Sequence, residues 1–396
     1  MEVRKIKPEE HIDAMKILSI AFRWSKDFSD AYKEPEKFYN GYETFRAFFN
    51  DDNKMCAAME VSSFKISFEG KTTAMAGIGG VVTLPEERNK GYIRKLFQYC
   101  FREMRENKQW LSFLYPFSSE YYRKYGYETS AGKVKYIIPL ASFKHFTNSG
   151  KLKLYIPGTD DSYIRRIYGC FVAERNLAVL RSDILWKHHI GEDPYMNNIY
   201  TYVWYDSKEE PQGYITFKCR KRQDLGADML VKELVWLNNE AFIGILSFLG
   251  DFVPNYRDFI WETTEFYNLS LLFPDSSCVK TELYNLGMCR IVDLEEVLKL
   301  KGCPEGEGTL AFQVVDNFLE WNNGCFEVSW NKEGVKVVKK VCSPDLSCSI
   351  QTLTQLITGY ASLEDLIWSE DLKITGNRDL LSNYFKRKLI YLNESF

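Results

Sequence analysis

Apolar and polar positions along this chain follow two periods, and each switch between them marks an element. Ala74-Met-Ala-Gly-Ile-Gly-Gly-Val81-Val82 is a small, apolar run of strand type. Leu96, Phe97, Cys100, Phe101 and Met104 then recur at the 3.6-residue spacing of a helix with one buried face. Between the two lies Thr83-Leu-Pro-Glu-Glu-Arg88-Asn-Lys-Gly91. The pattern therefore predicts a strand ending near Thr83, a short basic turn, and a helix opening at about Gly91. It also predicts strands over 1–6, 110–115 and 132–138, and an amphipathic helix over 8–22.

A turn-rich stretch (Asn148-Ser-Gly, then Pro157-Gly-Thr-Asp-Asp) follows, and the pattern repeats weakly. A helix is expected over 162–174, strands over 198–205, 212–218 and 230–237, and a helix over 241–252. The turn before that last helix is Asn238-Asn239-Glu240, which has no Arg-x-x-Gly and carries a negative charge instead. Further on, alternation becomes clean: Leu310, Phe312, Val314, then Phe326, Val328, Trp330, then Val335, Val337. Asn322-Asn-Gly324 and Asn331-Lys-Glu-Gly334 supply hairpin turns, and a final helix is expected over 378–389.

A chain of 396 residues is too long for one ordinary core. The pattern divides it into units at 1–145, 146–286 and 287–396, of α+β class. Net charge is −3, which argues against a partner held by bulk electrostatics, such as nucleic acid. The N-terminus is charged and lacks the apolar centre of a signal peptide, and the longest apolar run, near 241–249, is far short of a membrane span. Ten cysteines without a Cys-x-x-Cys pair suit reduced, buried thiols in a cytoplasm. With four histidines, two of them adjacent (His188, His189), no metal site is expected.

The basic turn carries the candidate chemistry. A strand–turn–helix unit presents consecutive backbone N–H groups and the positive end of a helix dipole to an anion. Arg88, Lys90 and Arg94 add side-chain charge there, and Gly91 lets a diphosphate approach the backbone. Any solvated strand-to-helix turn can carry such residues, and this one lacks the Gly-x-Gly-x-x-Gly and Gly-Lys-Ser/Thr patterns of other phosphate loops.

Arg88-Asn-Lys-Gly91-Tyr-Ile93 resembles the Arg/Gln-x-x-Gly-x-Gly/Ala signature of the GNAT acetyltransferases, with Ile93 where a small residue is usual. Ser118-Ser-Glu-Tyr-Tyr122-Arg-Lys-Tyr-Gly126-Tyr127 and the final Phe396 are similar to the Eis-like (enhanced intracellular survival) branch. The resemblance implies tandem GNAT-like domains, the second degenerate, followed by a sterol-carrier-like domain. It implies acetyl-CoA as co-substrate, held by Arg88, Asn89, Lys90, Gly91, Tyr92, Ile93 and Arg94. The pantetheine arm would then lie beside Val81, Val82 and Thr83, with Phe117 and Ser118 as the other wall. It further implies Tyr122 as general acid, with Tyr121 the obvious misassignment, and the α-carboxylate of Phe396 as general base.

Many relatives place a Glu on the strand before the phosphate turn; here Ala74 through Leu84 contains no acid, and Glu69 lies in the preceding hairpin turn. The implied acceptor is a primary amine of a polyamine-like, aminoglycoside-like or lysine-containing molecule, and the implied assembly is a homohexamer. Asp27, Asp30 and Glu394 are candidate acids near the mouth, while Ser395 stands where aminoglycoside-modifying relatives have an acid. Two other readings stand beside this one: another acyl-CoA N-acyltransferase, or a non-catalytic acyl-CoA or lipid-binding protein.

Overall fold

The structure, a computed structural model, describes residues 1–25, 27–29, 41–223 and 226–394. Asp30, Ser395 and Phe396 lie outside the described residues. A long hairpin, β3 (Met55–Phe68) and β4 (Lys71–Thr83), turns through Glu69 and Gly70, both at positive φ. That two-residue turn matches the right-handed twist of the strands it joins. β1 (Glu2–Lys5) and β2 (Phe45–Phe49) extend the sheet beyond β3. α1 (His11–Phe22) covers one face through Ala14, Ile17 and Leu18. α2 (Tyr92–Glu106) covers the other with the expected stripe of Leu96, Phe97, Cys100, Phe101 and Met104, all buried. β5 (Gln109–Leu114) runs parallel to β4; a short helix, α3 (Ser119–Arg123), and β6 (Glu128–Pro139) follow.

The second unit contributes β7 (Lys151–Leu154), α4 (Ser162–Val172), β8 (Ala178–Val179), α5 (Asp183–Ile190) and α6 (Pro194–Asn197). It continues with β9 (Ile199–Tyr205), β10 (Pro211–Lys221), β11 (Ala227–Trp236), α7 (Asn239–Leu249), β12 (Asp258–Thr263) and β13 (Lys280–Ile291). β13 inserts between β5 and β6, antiparallel to both, so one sheet runs β1-β2-β3-β4-β5-β13-β6-β12-β11-β10-β9-β7. The expected division at 286/287 falls inside this strand. A Cβ on Gly287 would sit 2.1 Å from the Phe113 ring, so glycine is what lets β13 cross β5 there.

The third unit has α8 (Leu294–Leu300), then a sheet of β14 (Gly308–Val315), β15 (Gly324–Asn331), β16 (Gly334–Lys339), β17 (Leu346–Ser349) and β18 (Lys373–Ile374). α9 (Ile350–Thr358) and α10 (Arg378–Tyr384) cover it. Its core is continuous with the first unit: Phe312, Leu353 and Leu381 belong to one buried cluster with Ile66, Phe68, Leu111 and Phe113.

Three expectations change. The link at 316–323 is a folded loop rather than a tight turn, because Asp316 accepts hydrogen bonds from the Phe318 and Leu319 N–H groups and from Asn322. The last helix stops at Tyr384, because the Lys388 N–H donates to the Gly359 carbonyl and residues beyond it pair with Asn176. Cys325 and Cys342 form a disulfide between β15 and the segment after β16, so not every cysteine is a free thiol. No helix among the described residues is long and apolar enough to cross a membrane.

Candidate active site

The β4–β5 ladder ends at Ile78 opposite Leu114, yet β4 continues to Thr83. Residues 79–83 therefore have no ladder partner on that side among the described residues. The register of β4 against β3 also shifts between Ala58 and Glu60, and Gly80 there has φ 53°. A bulge of this kind re-aims the backbone locally and increases twist. The strand edge so opened is the segment expected to meet a pantetheine arm.

A cleft of about 730 Å³ begins at this edge, lined by Val81, Val82 and Thr83. Its floor is the run Arg88, Asn89, Lys90, Gly91, Tyr92, Ile93 and Arg94. Gly91 precedes the first turn of α2 with φ 78°, a left-handed conformation that glycine adopts without strain. A Cβ there would meet nothing within 4 Å, so the backbone conformation and the open approach to a ligand, not protein packing, favour glycine. Lys90 is tied to Glu87 at 2.8 Å, and Arg94 lies over the Phe318 ring, 4.9 Å from its centroid. Arg88 is exposed and has no ion-pair partner among the described residues. The turn combines a fixed helix terminus with an uncommitted guanidinium, which suits a diphosphate.

Phe117, Tyr121, Lys124 and Tyr125 form the opposite wall. Ser118 is not in the wall itself; its hydroxyl caps α3 by accepting from the Tyr121 N–H at 3.3 Å. Tyr122 is buried, with its ring edge-on to Phe117 at 5.4 Å and to Phe97 at 6.3 Å. Its hydroxyl makes no hydrogen bond among the described residues. Burial, with a smaller contribution from Tyr121, pushes its pKa above the ordinary phenol value. Sequence reasoning missed Ala21, Phe22, Glu87, Lys124 and Tyr125 as lining residues, and it named Tyr121 only as a misassignment. Of these Lys124, a charge within the aromatic run, left a readable signal.

Residues up to Glu394 return to the end of β5. The Tyr115 hydroxyl, just past β5, donates to the Glu394 carbonyl. The Glu394 carboxylate accepts from Arg181 at 2.6 Å and bonds the His189 ring at 2.9 Å. Arg181, fully buried, also makes a paired contact to Glu233 at 2.6 and 2.8 Å. Tyr214 and Tyr391 donate to the same carboxylate, and Asn393 donates to it as well. Burial opposes charge on Glu233, but Arg181 outweighs it and holds the pKa well below the usual carboxylate range. Glu394 is thus committed to Arg181, while Asp27 is exposed and accepts from the Ser29 N–H. Neither is placed as a free acid at the cleft. In the second unit the corresponding turn between β11 and α7 puts Asn238 at the cap and Glu240 beside Ser149, a poor setting for a phosphate. Among the described residues no group of three His, Cys, Asp or Glu is placed to hold a metal ion.

Comparison with known proteins agrees with this geometry. An acetyltransferase (GNAT) domain model matches residues 2–130, and a second acetyltransferase (GNAT) domain model matches 177–291. A sterol carrier protein domain model matches 294–392. No curated protein matches the chain. Similar solved structures include a GCN5-related N-acetyltransferase from Anabaena variabilis, 24% identical, TM-score 0.86, with 100% of each chain covered. A conserved protein from Enterococcus faecalis V583 is 23% identical, TM-score 0.85, covering 100% of this chain and 99% of that one. Eis1 from Mycobacterium abscessus is 16% identical, TM-score 0.80, with 100% of each chain covered. At these identities the likeness to solved structures is one of fold.

Proposed function

We propose that this chain, a GNAT acetyltransferase with the fold of Eis-like proteins, moves acetyl from acetyl-CoA directly to a primary amine. The observation that carries this reading is the convergence of an unpaired strand edge at 79–83 with the basic turn at Arg88–Arg94 in one cleft. The turn would hold the pyrophosphate, and the free edge would pair with the pantetheine amides as a neighbouring strand does. The Val81 or Val82 N–H would then face the thioester oxygen as negative charge builds on it.

The amine nitrogen attacks the carbonyl carbon, the carbon–sulfur bond breaks, and the coenzyme leaves as a thiolate. One proton leaves the amine and one reaches the sulfur. Tyr122 is the proposed donor: a phenol carries its proton at neutral pH, and this hydroxyl has no hydrogen-bond partner among the described residues. An alkyl ammonium has a reference pKa of about 10.4, so a proton acceptor assists attack. The α-carboxylate of Phe396 is the proposed acceptor, acting through water. That residue lies outside the described ones, and the support is the course of 391–394, which brings Glu394 to Tyr115 at the end of β5. A homohexamer and a cytoplasmic setting belong to the same reading.

The test is untagged protein with acetyl-CoA and a panel of primary amines, from polyamines, aminoglycosides and lysine peptides to amines that carry an acid group, following free thiol. Acceptor-dependent release is expected. If calorimetry detects no acetyl-CoA binding, the phosphate-turn argument fails and the reading with it.

A further inference from the structure

Glu394 also borders a second cleft, of about 490 Å³, on the sheet face that carries α5. Alternate residues of adjacent strands build its floor: Lys133 and Lys135 on β6, Lys232 on β11, Lys218 and Arg220 on β10. Against these five cations stand two acids, Glu262 and Glu394, among the described residues that line it. Glu262 is paired with Lys133, and Glu394 shares Arg181 with Glu233 and bonds the His189 ring, so both acids already have partners of their own. Lys135 has Glu282 at 3.2 Å, and Arg220 has Asp228 at 2.6 Å. Lys218 and Lys232 have no carboxylate partner among the described residues.

The fold goes out of its way to place Lys232. Phe217 pairs with Val231 and Thr216 with Glu233, so Lys232 is the extra residue of a bulge. The bulge lets Lys232 line the cleft while Glu233 still meets Arg181. Burial, and then the charge of Lys218, lower the Lys232 pKa against smaller opposing contributions from Glu192 and Glu233. In a chain of net charge −3, two lysines without a carboxylate partner among the described residues repel each other in a half-enclosed cleft, and an anion between them relieves that cost.

Glu394 ties this cleft to the segment that leads into the wall of the coenzyme cleft. Tyr115, which binds the Glu394 carbonyl, lies two residues before Phe117 in the coenzyme cleft wall. Tyr115 also packs on the core cluster that contains Phe113 and Ala131. Lys133, two residues after Ala131 on β6, therefore points to the same side of the sheet as Tyr115.

We propose that this basic cleft holds the anionic end of the acceptor, so that the amine acetylated here carries a carboxylate or a phosphate and is not a polycation. The proposal rests on the acetyltransferase reading above. It is tested with four amines of equal chain length: hexamethylenediamine, aminohexanol, aminohexanoate and aminohexyl phosphate. The expected result is a kcat/KM about tenfold or more higher for the anionic pair than for the diamine, carried mainly by KM. The better of the two anions names the acceptor's charged group. Lys218→Met combined with Lys232→Met removes the preference while leaving turnover on aminohexanol within about twofold, since these partly exposed lysines lie outside the coenzyme cleft. Lys218→Glu, which leaves the bulge untouched, reverses the preference if the double variant folds poorly. Equal use of all four amines, or preference for the diamine, overturns the proposal. If no amine is acetylated although acetyl-CoA binds, the acceptor reading fails separately, and calorimetry of aminohexyl phosphate with the CoA-bound protein decides the cleft. Binding that the double variant loses upholds an anion site; no binding overturns it.

Discussion

Tyr122 and Tyr121 are neighbours in sequence, but they face different surroundings. Tyr121 lines the cleft, whereas Tyr122 is packed among Phe97, Phe117 and Tyr127, with no hydrogen-bond partner for its hydroxyl among the described residues. Tyr122→Phe is expected to lower turnover by about 10²-fold or more while acetyl-CoA affinity, measured by calorimetry, stays within about threefold. Tyr121→Phe is the control, and equal losses in both would remove Tyr122 from the proton-transfer role. Glu233 gives a residue-scale prediction about stability. Its pKa is depressed in the folded state, so its contribution is fully present above the unfolded carboxyl value of about 4.3 and is lost as pH falls below it. Melting temperature should therefore drop on acidification below about pH 4.3, with a flatter profile in Glu233→Gln. That variant should also lose about 1–3 kcal/mol at neutral pH, because it weakens the charged hydrogen bonds from Arg181, Tyr214 and Tyr391 while Glu394 still pairs with Arg181. An unchanged melting profile would show that the pair contributes nothing net. The sequence contained both carboxylates but no sign of this network, since Arg181, Glu233 and Glu394 are brought together from three distant segments.

At the scale of elements, the strand–turn–helix unit from β4 through α2 was legible almost residue by residue. Its apolar stripe, its basic turn and Gly91 are local signals, and the helix starts where they place it. The register shift that opens β4 away from β5 was not legible, because it depends on how two strands pair. Arg88→Ala combined with Gly91→Glu should abolish acetyl-CoA binding, by removing the free guanidinium and setting a carboxylate where a diphosphate would lie. Calorimetric binding retained in a folded double variant would refute the pyrophosphate site. The α10 boundary teaches the converse. Apolar periodicity continues toward Leu389, but Gly359 and Asn176 offer the backbone other partners and the chain leaves the helix at Tyr384.

At the scale of the whole molecule, the units are interlocked. Glu69, in the β3–β4 turn, meets Lys301 at 3.0 Å and Lys388 at 3.3 Å, and Asn176 bonds it from the second unit. With a buried cluster running from Ile66 to Leu381, the third unit shares its core with the first. Scanning calorimetry should therefore show one cooperative unfolding transition; a separate transition for residues 294–392 would argue against a shared core. A tag added after Phe396 should cripple turnover without moving the melting temperature. Full activity in a tagged protein would place the proton acceptor elsewhere.

What the sequence by itself determined is what short-range chemistry dictates: the α+β class, the order of most strands and helices, and the basic turn between β4 and α2. Hydrophobic period, turn residues and local charge all act within a few residues, so one sequence displays them. Only the tertiary structure decided that β13 enters between β5 and β6, that Glu394 reaches Tyr115, and that five cations gather on one sheet face. Those outcomes depend on pairing between residues tens to hundreds of positions apart, where many registers satisfy the same local pattern and packing of the whole sheet selects one.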